Sequence, residues 1–432
     1  MDPAVVGLFG IALLIIFIFS GVPVGVTMGL IGFVGFIGIL GLDKALANMS
    51  LIAFDTANHY NFAVIPLFLL MSVFVSRSGI GEDVYKAART CVGHIKGGLA
   101  MATVVGCGLF AACSGSSLAT AVAMGKVAFP EMKKLQYDPR LAIGCIAAGG
   151  SLGLMIPPSM AFILIGILTE VSIGKLFMAG IIPGILEVVA YAVTIYIMCK
   201  INPKMAPSVP NVPFLQKVKS LKYTWMVGIL FFGVIGGIYG GVFTPTEAGA
   251  AGAFGALVLG LVTRRLNRSD LKVSFLDTAR HASMIMVMVI GAFIFVRFLT
   301  YTRIPNIASQ WIVSLNIPPM VILSIILVSF LFFGMFFDMY AVVILTTPIL
   351  FPIMVDMGFD PIWWGVLMCR MIEIGMITPP FGINLFGLSA SADVPVAVMY
   401  RGIIPFVIAD CFIVAILVAF PILSTYIPNQ LL

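Results

Sequence analysis

An internal repeat constrains this chain more than any other feature: residues 23–184 recur 222 positions later with no gap. Pro157-Pro158 returns as Pro379-Pro380, and Gly180-Ile181-Ile182-Pro183 returns as Gly402-Ile403-Ile404-Pro405. A constant shift over so long a stretch predicts two halves that have the same order of elements. The chain is therefore restricted to folds built from two related halves.

The surroundings of this duplicated fold are predicted to be lipid. Hydrophobic residues make up 61% of the 432 residues and charged residues only 10%, whereas soluble domains carry about 25% charged residues. So much apolar surface cannot be hidden from water. The first apolar stretch, 5–19, follows Asp2 rather than a basic segment and has no small-residue cleavage site, so we interpret it as the first span and not as a signal peptide.

Ten stretches approach or exceed the roughly 20 residues that a membrane span requires. Lysine and arginine accumulate on the cytoplasmic side of membrane proteins, and three basic stretches, 77–96, 200–222 and 264–280, lie between these spans. Placing all three in the cytoplasm puts both termini outside. The predicted spans are 4–20, 24–41, 62–76, 141–170, 176–199, 224–241, 246–263, 281–300, 362–392 and 403–427.

Two further apolar segments, 97–130 and 319–352, are predicted to be re-entrant hairpins. Basic residues lie at both ends of 97–130, so both ends are predicted to be cytoplasmic. A segment that returns to the same side must be covered by protein or line a cavity. Its repeat partner 319–352 then enters from outside. Five spans plus a hairpin in each half force the second half to be inverted relative to the first.

The predicted fold is an all-α polytopic membrane protein with two inverted repeats. The first repeat covers 1–199, a cytoplasmic linker covers 200–223, and the second repeat covers 224–432. The linker has four prolines among its lysines, as is typical of a connecting segment. Stretches 82–95 and 304–316 precede the hairpins and mix polar with apolar residues, so we predict arms at the membrane surface.

The turn of the first hairpin reads Ala112-Cys113-Ser114-Gly115-Ser116-Ser117. Small residues allow a tight reversal, and hydroxyls with freed carbonyls are hard oxygen ligands that suit an alkali cation. A close helix contact through small residues is the structural alternative. The motif alone does not decide between the two interpretations.

Segments 141–170 and 362–392 are each predicted to be a broken helix. Each carries glycine ahead of a Pro-Pro pair, and proline both removes a backbone donor and clashes with the preceding turn. A break frees carbonyls of the first half-helix and turns the N-terminus of the second toward a ligand. A kink without a site would explain either break alone. Two breaks at matched repeat positions, each paired with a hairpin, favour the binding site of a secondary transporter.

Charged residues at the bilayer centre cost about 3 kcal/mol each and usually face a partner or a cavity. Asp338 lies at the tip of the second hairpin, at the repeat position of Ser116. Arg370 and Glu373 are three residues apart, which predicts a neutralising helix pair or, for Arg370, a partner for a substrate carboxylate or sulfonate. Glu247 follows a proline at the start of a span, where it would stabilise the helix N-terminus.

The sequence contains no catalytic constellation. No HExxH, GxSxG or Walker-type motif occurs, and the three histidines and seven cysteines are scattered singly. We therefore expect neither an enzyme nor a bound cofactor nor a transition-metal site. The cysteines are expected to be small buried apolar side chains.

Four motifs occur in order along the chain: Ser114-Gly115-Ser116-Ser117 through Phe129-Pro130-Glu131-Met132, Ala148-Gly149-Gly150-Ser151-Leu152-Gly153 into Ile156-Pro157-Pro158-Ser159, Gly241-Val242-Phe243-Thr244-Pro245-Thr246-Glu247-Ala248, and Glu373-Ile374-Gly375 into Thr378-Pro379-Pro380. With these motifs at matching spacing, the chain resembles the large membrane subunit of TRAP (tripartite ATP-independent periplasmic) transporters over essentially its whole length. The resemblance implies the elevator-type fold of the ion-transporter superfamily, in which hairpins and broken helices move against a scaffold of the other spans.

The resemblance implies import of a small organic anion, a carboxylate or a sulfonate, coupled to Na⁺ across the bacterial inner membrane. It implies two partners: a small four-helix membrane subunit, expected on a separate chain, and a periplasmic solute-binding protein. It leaves C4-dicarboxylates, sugar acids, keto acids and small sulfonates open as solutes. A stand-alone sodium/dicarboxylate carrier of related inverted-repeat architecture is the alternative, and an intramembrane enzyme has no constellation to support it.

Carried over by position, the resemblance implies two sodium sites with one substrate site between them. The first sodium site comprises Ser114, Ser117 and the backbone near Gly153, Ile156 and Pro158. The second comprises Gly334, Gly375, Thr378 and Phe381. The substrate is expected near Ser116, Ser159, Asp338 and Asn384, with Arg370 as a further candidate.

Overall fold

The computed structural model describes residues 2–207, 212–305, 307, 310, 314 and 317–431. Over these residues the chain is helical, with no β-strand. Most of the predicted surface arm at 304–316 and Pro210 of the predicted linker lie outside the described residues.

The helices of the first half run as far as residue 201. They are α1 Pro3–Phe19, α2 Val24–Leu40, α3 Leu42–Asn58, α4 Val64–Arg77, α5 Ile80–Val92, α6 Gly98–Ser114, α7 Ser117–Lys134, α8 Pro139–Met155, α9 Met160–Thr169 and α10 Ile173–Ile201. The linker contains α11 Phe214–Ser220, and the described helices of the second half are α12 Trp225–Tyr239, α13 Pro245–Val262, α14 Arg268–Thr302, α15 Pro319–Phe336, α16 Met339–Asp356, α17 Pro361–Ile377, α18 Ile383–Ala392, α19 Val396–Ala419 and α20 Ile422–Leu431.

The shift of 222 residues recurs in the helix bounds. Both ends of α7 and α8 lie 222 positions before the ends of α16 and α17. One difference is clear: α3 and α4 are separate helices, joined through a 3₁₀ turn, whereas their counterpart α14 is one helix of 35 residues. The joint 58–63 reads Asn-His-Tyr-Asn-Phe-Ala and its counterpart 280–285 reads Arg-His-Ala-Ser-Met-Ile. Arginine, alanine and methionine favour a continuous helix more than asparagine and tyrosine do.

Nine helical stretches among the described residues are long and apolar enough to cross a membrane, when α8 is counted together with α9 and α11 together with α12. A helix of 18 residues is about 27 Å long, so the length of the hairpin helices α15 and α16 does not distinguish a re-entrant path from a full crossing. The re-entrant path and the inversion of the second half therefore stay predictions. The nine are Tyr60–Arg77, Pro139–Thr169, Ile173–Ile201, Phe214–Tyr239, Pro245–Val262, Arg268–Thr302, Pro319–Phe336, Met339–Asp356 and Val396–Ala419.

The packing of the helices is also related between the halves. Helix α6 packs against α8, as α15 packs against α17. The second helix of each hairpin packs on the other half, α7 against α18 and α16 against α9. Outside this unit, α2 packs against α14 and α13 against α4. The hairpins and the broken helices thus form one unit in which the two halves are interleaved.

The start of α13 confirms the predicted role of Glu247. The Thr244 side chain accepts a hydrogen bond from the Glu247 backbone N–H at 3.3 Å, and the Thr244 N–H donates to Glu247 Oε2 at 2.8 Å. This capping box satisfies backbone donors that the helix leaves unpaired. Glu247 is therefore a helix-capping residue.

Candidate ion and substrate sites

The first hairpin turns at a single glycine. Helix α6 ends at Ser114, Gly115 has a φ of 60°, and α7 starts at Ser117. Glycine takes up this left-handed conformation without steric cost. Ser116 is the N-cap of α7, and its Oγ accepts a hydrogen bond from the Ala119 N–H at 3.4 Å. The Ala112–Ser117 motif therefore forms a tight tip, as predicted.

The first broken helix separates at the predicted Pro-Pro pair. Helix α8 ends at Met155 and α9 begins at Met160. Because Pro157 and Pro158 have no N–H, the carbonyls of Gly153 and Leu154 lack their normal helical donors four residues on. Ser159 caps α9 by accepting from the Phe162 N–H at 3.4 Å. A backbone oxygen and a helix N-terminus therefore meet at the break.

The hairpin tip and the break are in direct backbone contact. The Met160 N–H donates to the Gly115 carbonyl at 3.3 Å. A Cβ on Gly115 would lie 2.5 Å from the Pro158 carbonyl oxygen, and a Cβ on Gly153 would lie 2.6 Å from the Ser116 carbonyl. Real Cβ atoms do not approach so closely. The first sodium site that the resemblance implies therefore has its tip residues and its break residues side by side.

Thr120 is a part of this tip that the sequence analysis missed. Its Oγ1 lies 2.7 Å from Ser114 Oγ and donates to the Ser116 carbonyl at 2.8 Å. Threonine one turn into a helix commonly makes such a bond to the carbonyl four residues back. The position of Thr120 four residues after Ser116 could therefore have indicated this contact. Ser114 and Thr120 together place two hydroxyl oxygens behind the turn.

The second hairpin and break are also in contact, through two glycines, but Gly334 lies within α15, ahead of the tip at Asp338, so the contact is not at the repeat position of the first. A Cβ on Gly375 would lie 2.6 Å from the Gly334 Cα, and the Gly382 N–H donates to the Met335 carbonyl at 3.3 Å. The Thr378 hydroxyl donates to the Ile374 carbonyl at 2.5 Å. The residues of the second predicted sodium site are therefore also close together. The Thr378 hydroxyl donates its proton to Ile374, so its oxygen lone pairs are what it can offer to an ion.

Tyr400 lies against the second break and has no counterpart at the first. Its hydroxyl contacts the Pro380 carbonyl and lies 3.3 Å from the Phe381 carbonyl oxygen. The residue 222 positions earlier is Met178. The Phe381 ring is 47% exposed and packs on Phe336, with ring centroids 4.9 Å apart. Only the backbone carbonyl of Phe381 can therefore be a ligand at the break, and Tyr400 already contacts this carbonyl.

Asp338 and Ser116 have the same structural role in the two halves. Asp338 is the N-cap of α16, and its Oδ1 accepts from the Ala341 N–H at 2.8 Å. Aspartate in the second repeat, in place of the serine of the first, therefore keeps the helix cap and adds a negative charge at the second tip. The two tips have related geometry but different charge.

Asn384 links the second half to the tip of the first. Its Nδ2 donates to the Ser117 hydroxyl, and the side chain is fully buried at the start of α18. Its Oδ1 has no hydrogen-bond partner among the described residues, and a buried amide oxygen normally has one. Asn384 therefore offers a free acceptor next to a predicted sodium ligand.

Arg370 lies in a buried ionic cluster rather than in a cavity. Its Nη1 is 2.6 Å from Glu187 Oε1 and 2.8 Å from Glu373 Oε2, and its Nη2 contacts Asp410 Oδ1. All four residues are fully buried. The predicted Arg370–Glu373 pair is confirmed. Because its guanidinium is held by three carboxylates, we leave Arg370 out of the proposed substrate site.

The sequence analysis missed the other members of this cluster. Glu187 on α10 and Asp410 on α19 are charged residues inside apolar helices, which is a recognised signal of a polar site in a membrane protein. Tyr191 Oη lies 3.5 Å from Arg370 Nη2, and Ser151 Oγ lies 3.1 Å from Glu187 Oε1 and 3.2 Å from Tyr191 Oη. The cluster therefore reaches from α17 to α8.

A separate cavity of about 820 Å³ is lined by residues of both halves. Asp55 at the end of α3, Glu170 after α9 and Arg297 on α14 lie along it. No predicted site residue is part of its lining. Within the described residues, no group of three or more His, Cys, Asp or Glu side chains could hold a metal ion.

Over its described residues the chain is helical, many helices are long and apolar enough to cross a membrane, and a hairpin contacts a helix break in each half. This architecture is that of membrane transporters. The family model described as "Tripartite ATP-independent periplasmic transporter, DctM component" matches residues 11–423. The chain therefore belongs to this family, a family of transporters and not of enzymes.

Individual relatives agree with this assignment. The chain is 36% identical over 385 residues to the C4-dicarboxylate TRAP transporter large permease protein DctM of Pseudomonas aeruginosa, covering 89% of this chain and 88% of that protein. It is 33% identical over 448 residues to the protein of the same name from Vibrio cholerae, covering 98% of each. With the isethionate TRAP transporter permease protein DctMQ of Oleidesulfovibrio alaskensis it shares 34% identity over 431 residues, which is 99% of this chain and 66% of that longer protein.

A solved structure has the same fold. The crystal structure of the Alcanivorax borkumensis YdaH transporter, described as revealing an unusual topology, superimposes with a TM-score of 0.67. The match covers 99% of this chain and 100% of that chain at 15% sequence identity. This similarity supports the all-helical transporter fold alone.

Proposed function

We propose that this chain imports a small organic anion, a carboxylate or a sulfonate, across the bacterial inner membrane in symport with Na⁺. The observation that carries the proposal is the backbone contact between the hairpin and the helix break of each half, at the tip in the first (Gly115 with Pro158) and within α15 in the second (Gly334 with Gly375). The first contact gathers buried hydroxyls and carbonyl oxygens, and the second gathers the half-buried Thr378 hydroxyl with backbone carbonyls. Such a group of oxygens suits an alkali cation, because the ligands are hard and neutral.

The first sodium site is proposed at Ser114, Ser117, Gly153, Ile156 and Pro158. Its support is the Gly153 carbonyl, which lacks a helical donor, beside the buried hydroxyls of Ser114 and Ser117. The second site is proposed at Gly334, Gly375, Thr378 and Phe381, with Tyr400 as an added neighbour.

The substrate site is proposed between the two tips, near Ser116, Ser159, Asp338 and Asn384. Asn384 and Ser117 are in contact across the halves, so a solute beside them lies next to the first sodium site. Ser159 caps the N-terminus of α9, where the helix dipole favours an anion. Three of the relatives are named for organic anions: C4-dicarboxylates, isethionate and sialic acid. We propose the same class of solute here.

The proposed mechanism is an elevator motion. The hairpins and broken helices pack as one unit, with α7 against α18 and α16 against α9, and this unit is the proposed moving domain. The pairs α2–α14 and α4–α13 are the proposed scaffold. The proposed partners are a small four-helix membrane subunit on a separate chain and a periplasmic solute-binding protein, as the tripartite family description suggests.

Substitution of the hydroxyl ligands tests the sodium sites. We expect Ser117→Ala and Thr378→Ala each to raise the sodium concentration for half-maximal binding by roughly tenfold to a hundredfold, the range seen when groups that support a metal ion are removed. The measurement is binding of radiolabelled Na⁺ to the purified chain, with choline replacing sodium to keep ionic strength constant.

Ser324→Ala is the matched control for this test. Ser324 lies on α15, is exposed, and donates only to the Met320 carbonyl one turn back, at 2.8 Å. Its removal should leave sodium binding unchanged. Wild-type affinity in both the Ser117 and the Thr378 variants would place the sodium sites elsewhere.

A further inference from the structure

The ionic cluster around Arg370 forms a continuous polar connection between the two helix breaks. Ser151 on α8 lies two residues before Gly153, and Glu373 on α17 lies two residues before Gly375. Ser151 and Glu373 are 222 positions apart, so they occupy equivalent places in the two repeats. The connection therefore begins and ends at the same point of each repeat.

The contacts along this connection are short and buried. Ser151 Oγ is 3.1 Å from Glu187 Oε1, Glu187 Oε1 is 2.6 Å from Arg370 Nη1, and Arg370 Nη1 is 2.8 Å from Glu373 Oε2. The Ser151 hydroxyl proton is shared with the Ala148 carbonyl, which lies 2.6 Å from Ser151 Oγ. Tyr191 gives a second route, 3.2 Å from Ser151 Oγ and 3.5 Å from Arg370 Nη2. No member is exposed to solvent or lipid, so the interactions act at low dielectric.

Stability alone does not account for such a cluster. Buried ion pairs are often no more stable than well-packed apolar side chains of similar volume, because both charges must be desolvated. Here one guanidinium serves three carboxylates, and one oxygen each of Glu187, Glu373 and Asp410 has no hydrogen-bond partner among the described residues. This arrangement is more costly than a single pair. What it provides is a fixed geometry between α8, α10, α17 and α19.

We propose that Arg370 and Ser151 are positioning residues that couple the two breaks, so that Na⁺ bound at one break favours Na⁺ bound at the other. The proposal rests on the two sodium sites proposed above. A cation that orders the break at Gly153 also orders the preceding turn of α8, which contains Ser151. Ser151 then holds Glu187 and Tyr191, which hold Arg370 and with it the turn of α17 that precedes Gly375.

The test is the cooperativity of sodium binding in Ser151→Ala. This change removes the hydrogen bonds of the Ser151 hydroxyl to Glu187 and Tyr191 without changing charge or adding volume. A tenfold coupling between two sites corresponds to a Hill coefficient of about 1.5, and uncoupled sites to about 1. We expect the higher value for radiolabelled Na⁺ binding to the purified wild-type chain, and a value of about 1 in Ser151→Ala with the number of bound ions unchanged.

Two further variants complete the test. Ser329→Ala is the matched control, because Ser329 Oγ donates to the Ile326 carbonyl at 2.7 Å, as Ser151 Oγ does to the Ala148 carbonyl at 2.6 Å, but Ser329 lies on α15 outside the cluster. It should keep wild-type cooperativity. Arg370→Lys keeps the charge but loses the planar fork that reaches Glu187 and Asp410 together, and should behave like Ser151→Ala.

The outcomes separate this inference from the proposed function. A wild-type chain that binds Na⁺ with a Hill coefficient of about 1, or a Ser151→Ala chain with undiminished cooperativity, overturns the coupling and leaves the sodium sites standing. A wild-type chain that binds no Na⁺ overturns both. Loss of bound ions, rather than of cooperativity, in Ser151→Ala would show that Ser151 belongs to a site itself and would also contradict the coupling.

Discussion

Arg370→Met is expected to destabilise the folded protein by about 3–5 kcal/mol, the cost of removing one partner from a buried ionic group. Arg370 is the cation in contact with Glu187, Glu373 and Asp410, and all of these side chains are fully buried. Without it, three carboxyl groups face one another at low dielectric. We expect little assembled protein in the membrane and a much lower midpoint when purified protein is unfolded in detergent.

Two control variants separate charge balance from the loss of a long side chain. The combination of Arg370→Met with Glu187→Gln, Glu373→Gln and Asp410→Asn removes every charge of the cluster and should recover most of the lost stability. Arg280→Met removes an exposed arginine on α14 and should change stability by no more than about 0.5 kcal/mol. An Arg370→Met protein that unfolds at the wild-type midpoint would contradict the cluster as described.

Gly375→Ala is expected to reduce transport by about tenfold or more, since overpacking a tight contact costs roughly 1–3 kcal/mol. The added Cβ would lie 2.6 Å from the Gly334 Cα and 2.7 Å from the Leu331 carbonyl oxygen. Both are backbone atoms, so they can retreat only if α15 moves away from α17. Uptake by reconstituted protein measures this effect.

Gly236→Ala is the matched control for the glycine contact. Gly236 is a helical glycine on α12, and a Cβ added to it would have no atom within 4 Å. Alanine there should be tolerated and should slightly favour the helix. If Gly375→Ala transports at the rate of Gly236→Ala, α15 and α17 are not in close contact at Gly375 in the transporting protein.

The hairpin tips and helix breaks could be located from the sequence because their causes are local. Pro157 and Pro379 lack an N–H wherever they are placed, and Gly115 can reverse the chain at a residue where others are strained. The repeat then tied each tip to a break, since both recur with the same shift of 222 residues. The helix bounds follow these residues closely.

The partners of Arg370 could not be predicted from the sequence, because they are set by tertiary packing. Glu187 and Asp410 are 183 and 40 residues away from Arg370, and no spacing rule for one helix reaches them. The same holds for the contact of Asn384 with Ser117 and for Tyr400 at the second break. Local chemistry predicted the tips and breaks, whereas the side-chain contacts around them depend on the packing of the whole fold.

Uptake into proteoliposomes tests the central proposal most directly. The chain is reconstituted with the proposed small membrane subunit. Uptake of a radiolabelled C4-dicarboxylate, sugar acid and sulfonate is followed with and without an inward Na⁺ gradient, and with and without the proposed solute-binding protein in its loaded form. We expect uptake of one of these anions only when both the gradient and the binding protein are present. Uptake that persists without the binding protein would support a stand-alone sodium/dicarboxylate carrier, and uptake that persists without the Na⁺ gradient would contradict sodium symport.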